Sequence, residues 1–434
     1  MVKFCKETVR TIGYRGLCAQ ENFSKRLAQA SVRAKWNDAV AMNSYWAHPV
    51  PIAFRRGSRI SQESAVVSGA DYFTGVAQTR LLGRPLFETE YCHSFWNRYE
   101  YEQILFPAYA AFQGFSGIMV HELPVVRQEN RPLKPFSIGN NPTQRATQFL
   151  AACFYQRGDI RRSESMVTVG FRSRDLEELD LSLSLAASQR KIALLTGFSL
   201  DFKDSRVSGQ PSSQLEIAPF AGGRTITRAF FNEIADGEDA GKFDLAEFVR
   251  KLRAQKIFKE TNRSDPARGI FHSDTEQLFL DTGKGVLKII TPYSEGATLV
   301  RRGSVSLAAL EEVKMPEPGL IGIASVDGLP LQESGRMVLV AVLSCVNSGM
   351  KLTADRTTVL EPGTTPVLLQ TGTFHLKFRG RKDCDYTLYP LSVNGIRREP
   401  IPVENQNGSV SMQIDTAALR DGPTVFFELC AAAK

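Results

Sequence analysis

The sequence predicts an α/β region followed by a longer all-β remainder. Three observations carry this. Up to about residue 158, strand-like runs are each followed by helical spacing or a loop, four times over. From about Ile160 the apolar segments become short and often alternate, and beyond Gly319 seven short strands succeed one another between turn-rich connections. A switch from helical period to a period of two marks a change of architecture. The expected division is 1–158, 159–316 and 317–434, since 434 residues exceed one ordinary domain.

Taken in order, Lys6 to Gly13 reads as the end of a helix stopped at glycine, and Tyr14 to Gln20 as a strand leading to Glu21. Helical spacing returns over Phe23 to Lys35, and Asp38 to Met42 is the second strand, opening into NSYWAHP. A helix is expected over Gln62 to Leu82, a strand over Arg84 to Glu90, a helix over Arg98 to Gly114, a strand over Gly117 to Val120 and a last helix over Thr143 to Tyr155. Two strands joined by a crossover helix make a parallel βαβ unit. Four βα units amount to half of an eight-stranded (β/α)8 barrel with two open edges, which would invite pairing with another chain or segment; the alternative is a small open α/β domain whose edges are covered by its own loops.

The remainder reads as strands at Ser165 to Phe171, Leu181 to Leu185, Lys191 to Leu195 and Gly197 to Phe202, then a loop over Gln210 to Gly223. Asp244 has capping-box spacing to Glu247 and opens an amphipathic helix with Leu245, Phe248, Val249 and Leu252 inward. Gln277 to Leu280 and Gly285 to Thr291 form a hairpin, Met315 to Gly319 is a plausible hinge, and the seven strands after it suggest a β-sandwich.

Composition narrows the function classes. With 43% hydrophobic and 23% charged residues the chain can bury a large core. It holds no run of about 18 apolar residues, so no membrane span or membrane partner is expected. The N-terminus lacks the apolar core of a signal peptide, and the compartment stays open. The net charge of +7 is scattered over isolated pairs such as Arg55-Arg56 and Arg301-Arg302, so nucleic acid is not an expected partner. Seven cysteines without CxxC spacing favour free thiols over disulfides or zinc. No Walker loop, dinucleotide fingerprint or GxSxG elbow is present, and no cofactor is expected.

The stretch RPLFETEYCHSFWNRYEYEQILFPAYAAFQGFSGIMVHELP, Arg84 to Pro124, carries the chemistry. Parallel α/β folds place active groups at the C-terminal ends of strands, and Glu90, His93, His121 and Glu122 fall there. The order Phe87, Thr89, Glu90, Tyr91, then Asn97, Arg98, Tyr99 and Glu100 resembles the seventh and eighth strands of the retaining (β/α)8-barrel glycoside hydrolases, in particular bacterial enzymes in which β-sandwich domains follow the barrel. The stretches TPYSEGATL and DGLPLQESGRMVLVAV resemble the same enzymes.

That resemblance implies barrel strands five to eight, with Glu90 as catalytic nucleophile and Tyr45 as its hydrogen-bond donor. It also implies that the acid/base glutamate belongs to a fourth strand outside this sequence. Retaining hydrolysis needs two carboxyl groups about 5 to 5.5 Å apart, so the chain is expected to need a partner segment for turnover. Glu21 is the one alternative acid facing Glu90. Two positions depart from the family: Glu88 stands where an apolar residue is usual, and Asn43 where histidine is expected.

Candidate contacts to an oligo- or polysaccharide are Asn43, His48 and His93 near the strand ends, with Trp46 and Trp96 as stacking platforms. Each histidine could equally be a solvated loop residue, and Trp36 reads as core. Gathering Glu88, Glu90, His93, His121 and Glu122 around zinc or manganese matches no ligand spacing, so no metal site is expected. The competing reading is a non-catalytic carbohydrate-binding or assembly protein derived from such an enzyme.

Overall fold

The computed structural model describes residues 1–19, 22–121, 131–170, 184–202, 215–220, 224–230 and 243–433. The chain is a mixed α/β protein with a β-rich part. Its N-terminal sheet has three parallel strands in sequence order: β1 (Val40–Trp46), β2 (Leu86–His93) and β3 (Gly117–Val120). The same part of the chain carries helices α1 (Val2–Thr11), α2 (Leu27–Trp36), α3 (Asp71–Ala77), α4 (Leu105–Gln113) and α5 (Pro142–Ala151). The sheet is open, with no closure into a barrel among the described residues.

Several local expectations change here. Residues 14–19 form no strand, yet the Cys18 carbonyl accepts from the amides of Asp38 and Ala39, and that of Asn22 from Asn43, so this segment covers the free edge of β1. Glu21 and Glu122 lie outside the described residues. The helix expected over Gln62 to Leu82 shrinks to α3, because Gly69 and Ala70 both take left-handed backbone angles just before it. Between β2 and β3 a 3-10 turn (Glu100–Ile104) precedes α4, which stops at Gly114 with φ of 69°.

A second sheet sets Ser165–Gly170 between Gly197–Asp201 and Arg224–Phe230, with Leu215–Phe220 at its edge. The last strand lies inside the expected loop 210–223. The expected strand Lys191 to Leu195 is instead a helical turn, whose Ile192, Ala193 and Leu194 are all buried. Three consecutive buried apolar residues suit a strand or a buried turn equally, and periodicity does not separate them. The Asp244 helix forms as expected over Leu245–Ala254, its carboxylate accepting from the amides of Ala246 and Glu247.

The β-rich part has an eight-stranded and a five-stranded sheet. Alternation places Phe374, Leu376 and Phe378 on one face of Thr373–Arg379, where they share a core with Ile321, Ile323, Leu339 and Phe427 of the larger sheet. The larger sheet takes Ser294–Leu299 and Gly319–Ser325 as neighbours, so it runs through the expected boundary at 316. Met315 to Gly319 is the turn by which the chain passes from one sheet to the other.

The two parts share one continuous core. Leu320 and Val340 of the large sheet belong to the same cluster as Met42, Phe106 and Leu150. A Cβ on Gly322 would lie 2.5 Å from Leu150 Cδ1, so glycine lets α5 sit against the sheet. All seven cysteines are free thiols. Among the described residues no helix is long and apolar enough to cross a membrane.

Candidate functional site

Parallel pairing brings the C-terminal ends of β1 and β2 together. The register sets Asn43 opposite Glu90 and Trp46 opposite His93, with an irregularity between Met42 and Asn43 that leaves Thr89 unpaired in the ladder. Thr89 turns its hydroxyl to the Met42 carbonyl at 3.0 Å and to Asn43 Oδ1 at 2.6 Å. This bulge re-aims the strand end, and beyond it the Tyr45 hydroxyl donates to Oε2 of Glu90. His121, one residue past β3, places Nδ1 3.5 Å from the same oxygen.

Around this carboxylate four rings close. Tyr45 meets His48 at 5.3 Å between centroids, and His121 and Phe136 each at 5.6 Å, all edge to face. His121 and Phe136 are 5.0 Å apart. The Glu90 side chain keeps 35% exposure and that of His121 42%, so the group opens to solvent. Burial, then hydrogen bonding to Glu90, pushes the Tyr45 phenol far above its ordinary value, which keeps it a proton donor.

Glu88 lies beneath. It is wholly buried and neither carboxyl oxygen has a hydrogen-bond partner among the described residues. Burial raises its pKa well above the usual range, the nearby Lys25 ammonium opposes this, and the Glu90 charge reinforces it. A carboxyl without donors keeps its proton when buried. The same burial lowers Lys25, whose Nζ donates to Ser44 Oγ at 3.2 Å.

Of the residues expected to contact a ligand, the structure gathers only some beside Glu90. His48 is exposed, its Nδ1 2.9 Å from the Pro49 carbonyl oxygen, and its ring lies on Tyr45. Asn43 is 4% exposed and committed to Thr89. Trp46 is half-buried, tilted against Tyr72 at 5.7 Å, and donates its indole N–H to the Glu63 carbonyl at 2.9 Å.

His93 and Trp96 take other places. His93 ends β2 fully buried, Nε2 2.9 Å from the Tyr72 hydroxyl, and burial lowers its pKa to about 3. Trp96 is 2% exposed and packs with Phe54, Phe95 and Leu133 in a separate small core. The loop between them is held inward by this packing, so neither ring faces a strand-end ligand.

The Asn-Arg-Tyr-Glu run likewise does structural work. Asn97 Oδ1 accepts from the Tyr99 amide at 2.7 Å, and buried Glu100 accepts from Asn141 and Gln144 at the start of α5. Sequence reasoning placed His121 at a strand end without pairing it to Glu90, and it missed Phe136. Nothing in the spacing of Phe136 relates it to β1, and only the fold brings it there. Among the described residues no group of three or more His, Cys, Asp or Glu side chains is placed to hold a metal ion. No protein-family model matches the chain, and none of the curated proteins matches it.

Proposed function

We propose that the chain is the C-terminal part of a retaining (β/α)8-barrel glycoside hydrolase, with Glu90 as the nucleophile. The supporting observation is the Tyr45 hydroxyl seated on the Glu90 carboxylate at the ends of neighbouring parallel strands. In this reading Tyr45 orients one oxygen and leaves the other free to attack an anomeric carbon. His48, His121 and Phe136 form the wall against which a sugar ring lies. The acid/base glutamate comes from the barrel half outside this sequence, and only the assembled protein turns over. Glu90→Gln in that assembly abolishes turnover and retains polysaccharide binding; unchanged turnover would reject the assignment.

A specific feature favours a second reading, a non-catalytic carbohydrate-binding or assembly protein. Among the described residues the carboxyl group that the Glu90 charge acts on is Glu88, on its own strand and fully buried, not one facing it across a cleft. A buried neutral carboxyl cannot reach a leaving group. This reading predicts that polysaccharide retention survives Glu90→Gln, and that no partner chain restores hydrolysis.

A further inference from the structure

Three arginines meet in a cleft of about 390 Å³ beyond β3: Arg131, Arg145 on α5, and Arg398. Among the described residues the cleft wall contains no aspartate or glutamate, and none of the three arginines makes an ion pair. Each guanidinium carries five N–H donors. Arg145 uses one nitrogen on the Gly139 carbonyl at 3.4 Å, and Arg398 one on that of Gly422 at 2.9 Å. Among the described residues the remaining donors have no partner, and Asn140 and Pro142 at the start of α5 add the positive end of a ten-residue helix to the same wall.

A neighbouring groove of about 680 Å³ shares Arg145, Val393 and Phe426 with this cleft, and Val120 and Ile138 also line it. Val120 directly precedes His121, and Ile138 lies two residues after Phe136, the two rings beside Glu90. The groove between is apolar, through Val120, Ile138, Phe149 and Phe426. A chain of sugar rings presents apolar faces to such a floor, and a charged ring at its end would meet the guanidiniums.

We propose that this cleft is an anion subsite for the carboxylate of a uronic acid residue, and that the groove carries the saccharide from it toward Glu90. The proposal rests on the carbohydrate reading above and deepens it by naming the substrate class. A guanidinium fork matches a carboxylate through paired N–H donors, whereas a neutral sugar offers it only hydroxyls. Discrimination therefore comes from charge, and it weakens as salt screens the exposed Arg131 and the half-buried Arg145 and Arg398.

The test is calorimetric titration of the full chain with an oligouronate tetrasaccharide, with its carboxyl-reduced neutral counterpart, and with an oligonucleotide of equal charge. The oligouronate is expected to bind best, to weaken as salt rises, and to lose about tenfold or more in affinity in Arg145→Gln with Arg398→Gln. Arg301→Gln with Arg302→Gln, two exposed arginines that line neither cavity, should bind as the parent does. Equal binding of the reduced tetrasaccharide, equal binding of the oligonucleotide, or an affinity unmoved by salt in the parent chain would each overturn the subsite. Failure of the Glu90 reading looks different: hydrolysis by the assembled protein is then unmoved by Glu90→Gln, while the arginine variants still lose the uronate.

Discussion

The Tyr45 hydroxyl and the Glu90 carboxylate are held together by register as well as by contact. Asn43, two residues before Tyr45 on β1, lies opposite Glu90, so the bulge at Thr89 and the parallel pairing fix the distance between the two side chains. The phenol, pushed up by burial and by the carboxylate itself, stays protonated and donates to that carboxylate. Tyr45→Phe should thus leave the fold within about 1 kcal/mol of the parent in a urea melt, because the pair is partly exposed. Under the proposed hydrolase reading it should lower turnover by the assembled protein about tenfold or more, as loss of a group that orients and stabilises a reacting oxygen does. Turnover equal to the parent's would remove Tyr45 from the site.

Trp96 and His48 separate structural aromatics from exposed ones. Trp96 fills a closed core with Phe54, Phe95 and Leu133, so Trp96→Ala should cost about 3 to 5 kcal/mol in stability. The protein that remains folded should hold polysaccharide as well as the parent. His48→Ala removes an exposed ring that lies edge-on to Tyr45, and should leave the melting temperature nearly unchanged while weakening retention. Affinity electrophoresis in a polysaccharide gel, read beside thermal melts, checks both. The reverse pattern would return Trp96 to the binding surface.

Part of this group of residues was legible in the sequence, and the rest was hidden for a physical reason. Glu90 could be placed because strand ends in parallel sheets gather polar groups, a rule that needs only the local pattern, whereas Tyr45 was named from the resemblance to the barrel hydrolases. His93 and Trp96 obey the same pattern and still point inward. Their burial depends on Tyr72, Phe54 and Leu133, residues far away in sequence whose contacts no local period encodes. Phe136 and His121 reach Glu90 for the same reason in reverse. In the fold, alternation made Thr373–Arg379 readable, while Lys191 to Leu194, buried throughout, offered no period to separate strand from turn.

Gly322 tests whether the helical and β-rich parts are one cooperative unit. Its missing side chain admits Leu150 of α5, and an added Cβ would also stand 3.1 Å from the Glu295 carbonyl oxygen. Gly322→Ala should destabilise by about 1 to 3 kcal/mol through overpacking. Since Leu320 and Leu150 share one core, a single melting transition should shift as a whole. Two transitions, only one of them moved, would show that the parts unfold separately.

Burial of carboxyl groups predicts that stability falls as pH rises. Glu100 and Asp274 are pushed up to about 7 and Glu102 to about 8, in each case by burial, against the hydrogen bonds they accept. Glu88, which accepts none, is raised as well. In the unfolded chain these groups lose their protons near 4 to 4.5. A carboxyl with a raised folded pKa keeps its proton after the unfolded chain has released it. Its contribution is therefore full below about pH 4 and is lost as pH rises through the folded value. His93 acts oppositely: held neutral with a pKa near 3, it contributes fully above about 6.5 and loses that contribution as pH falls. Below 6.5 the two trends oppose each other, and above it only the carboxyls remain. Between pH 6.5 and 9 the unfolding free energy should thus drop by at least about 2 kcal/mol. Glu102→Gln should flatten the upper part of that slope, whatever it does to the absolute stability. A profile flat from pH 6.5 to 9 would mean that these carboxyls are ionised in the fold, and that the Ser64, Ala65 and Val66 donors on Glu102 outweigh its burial.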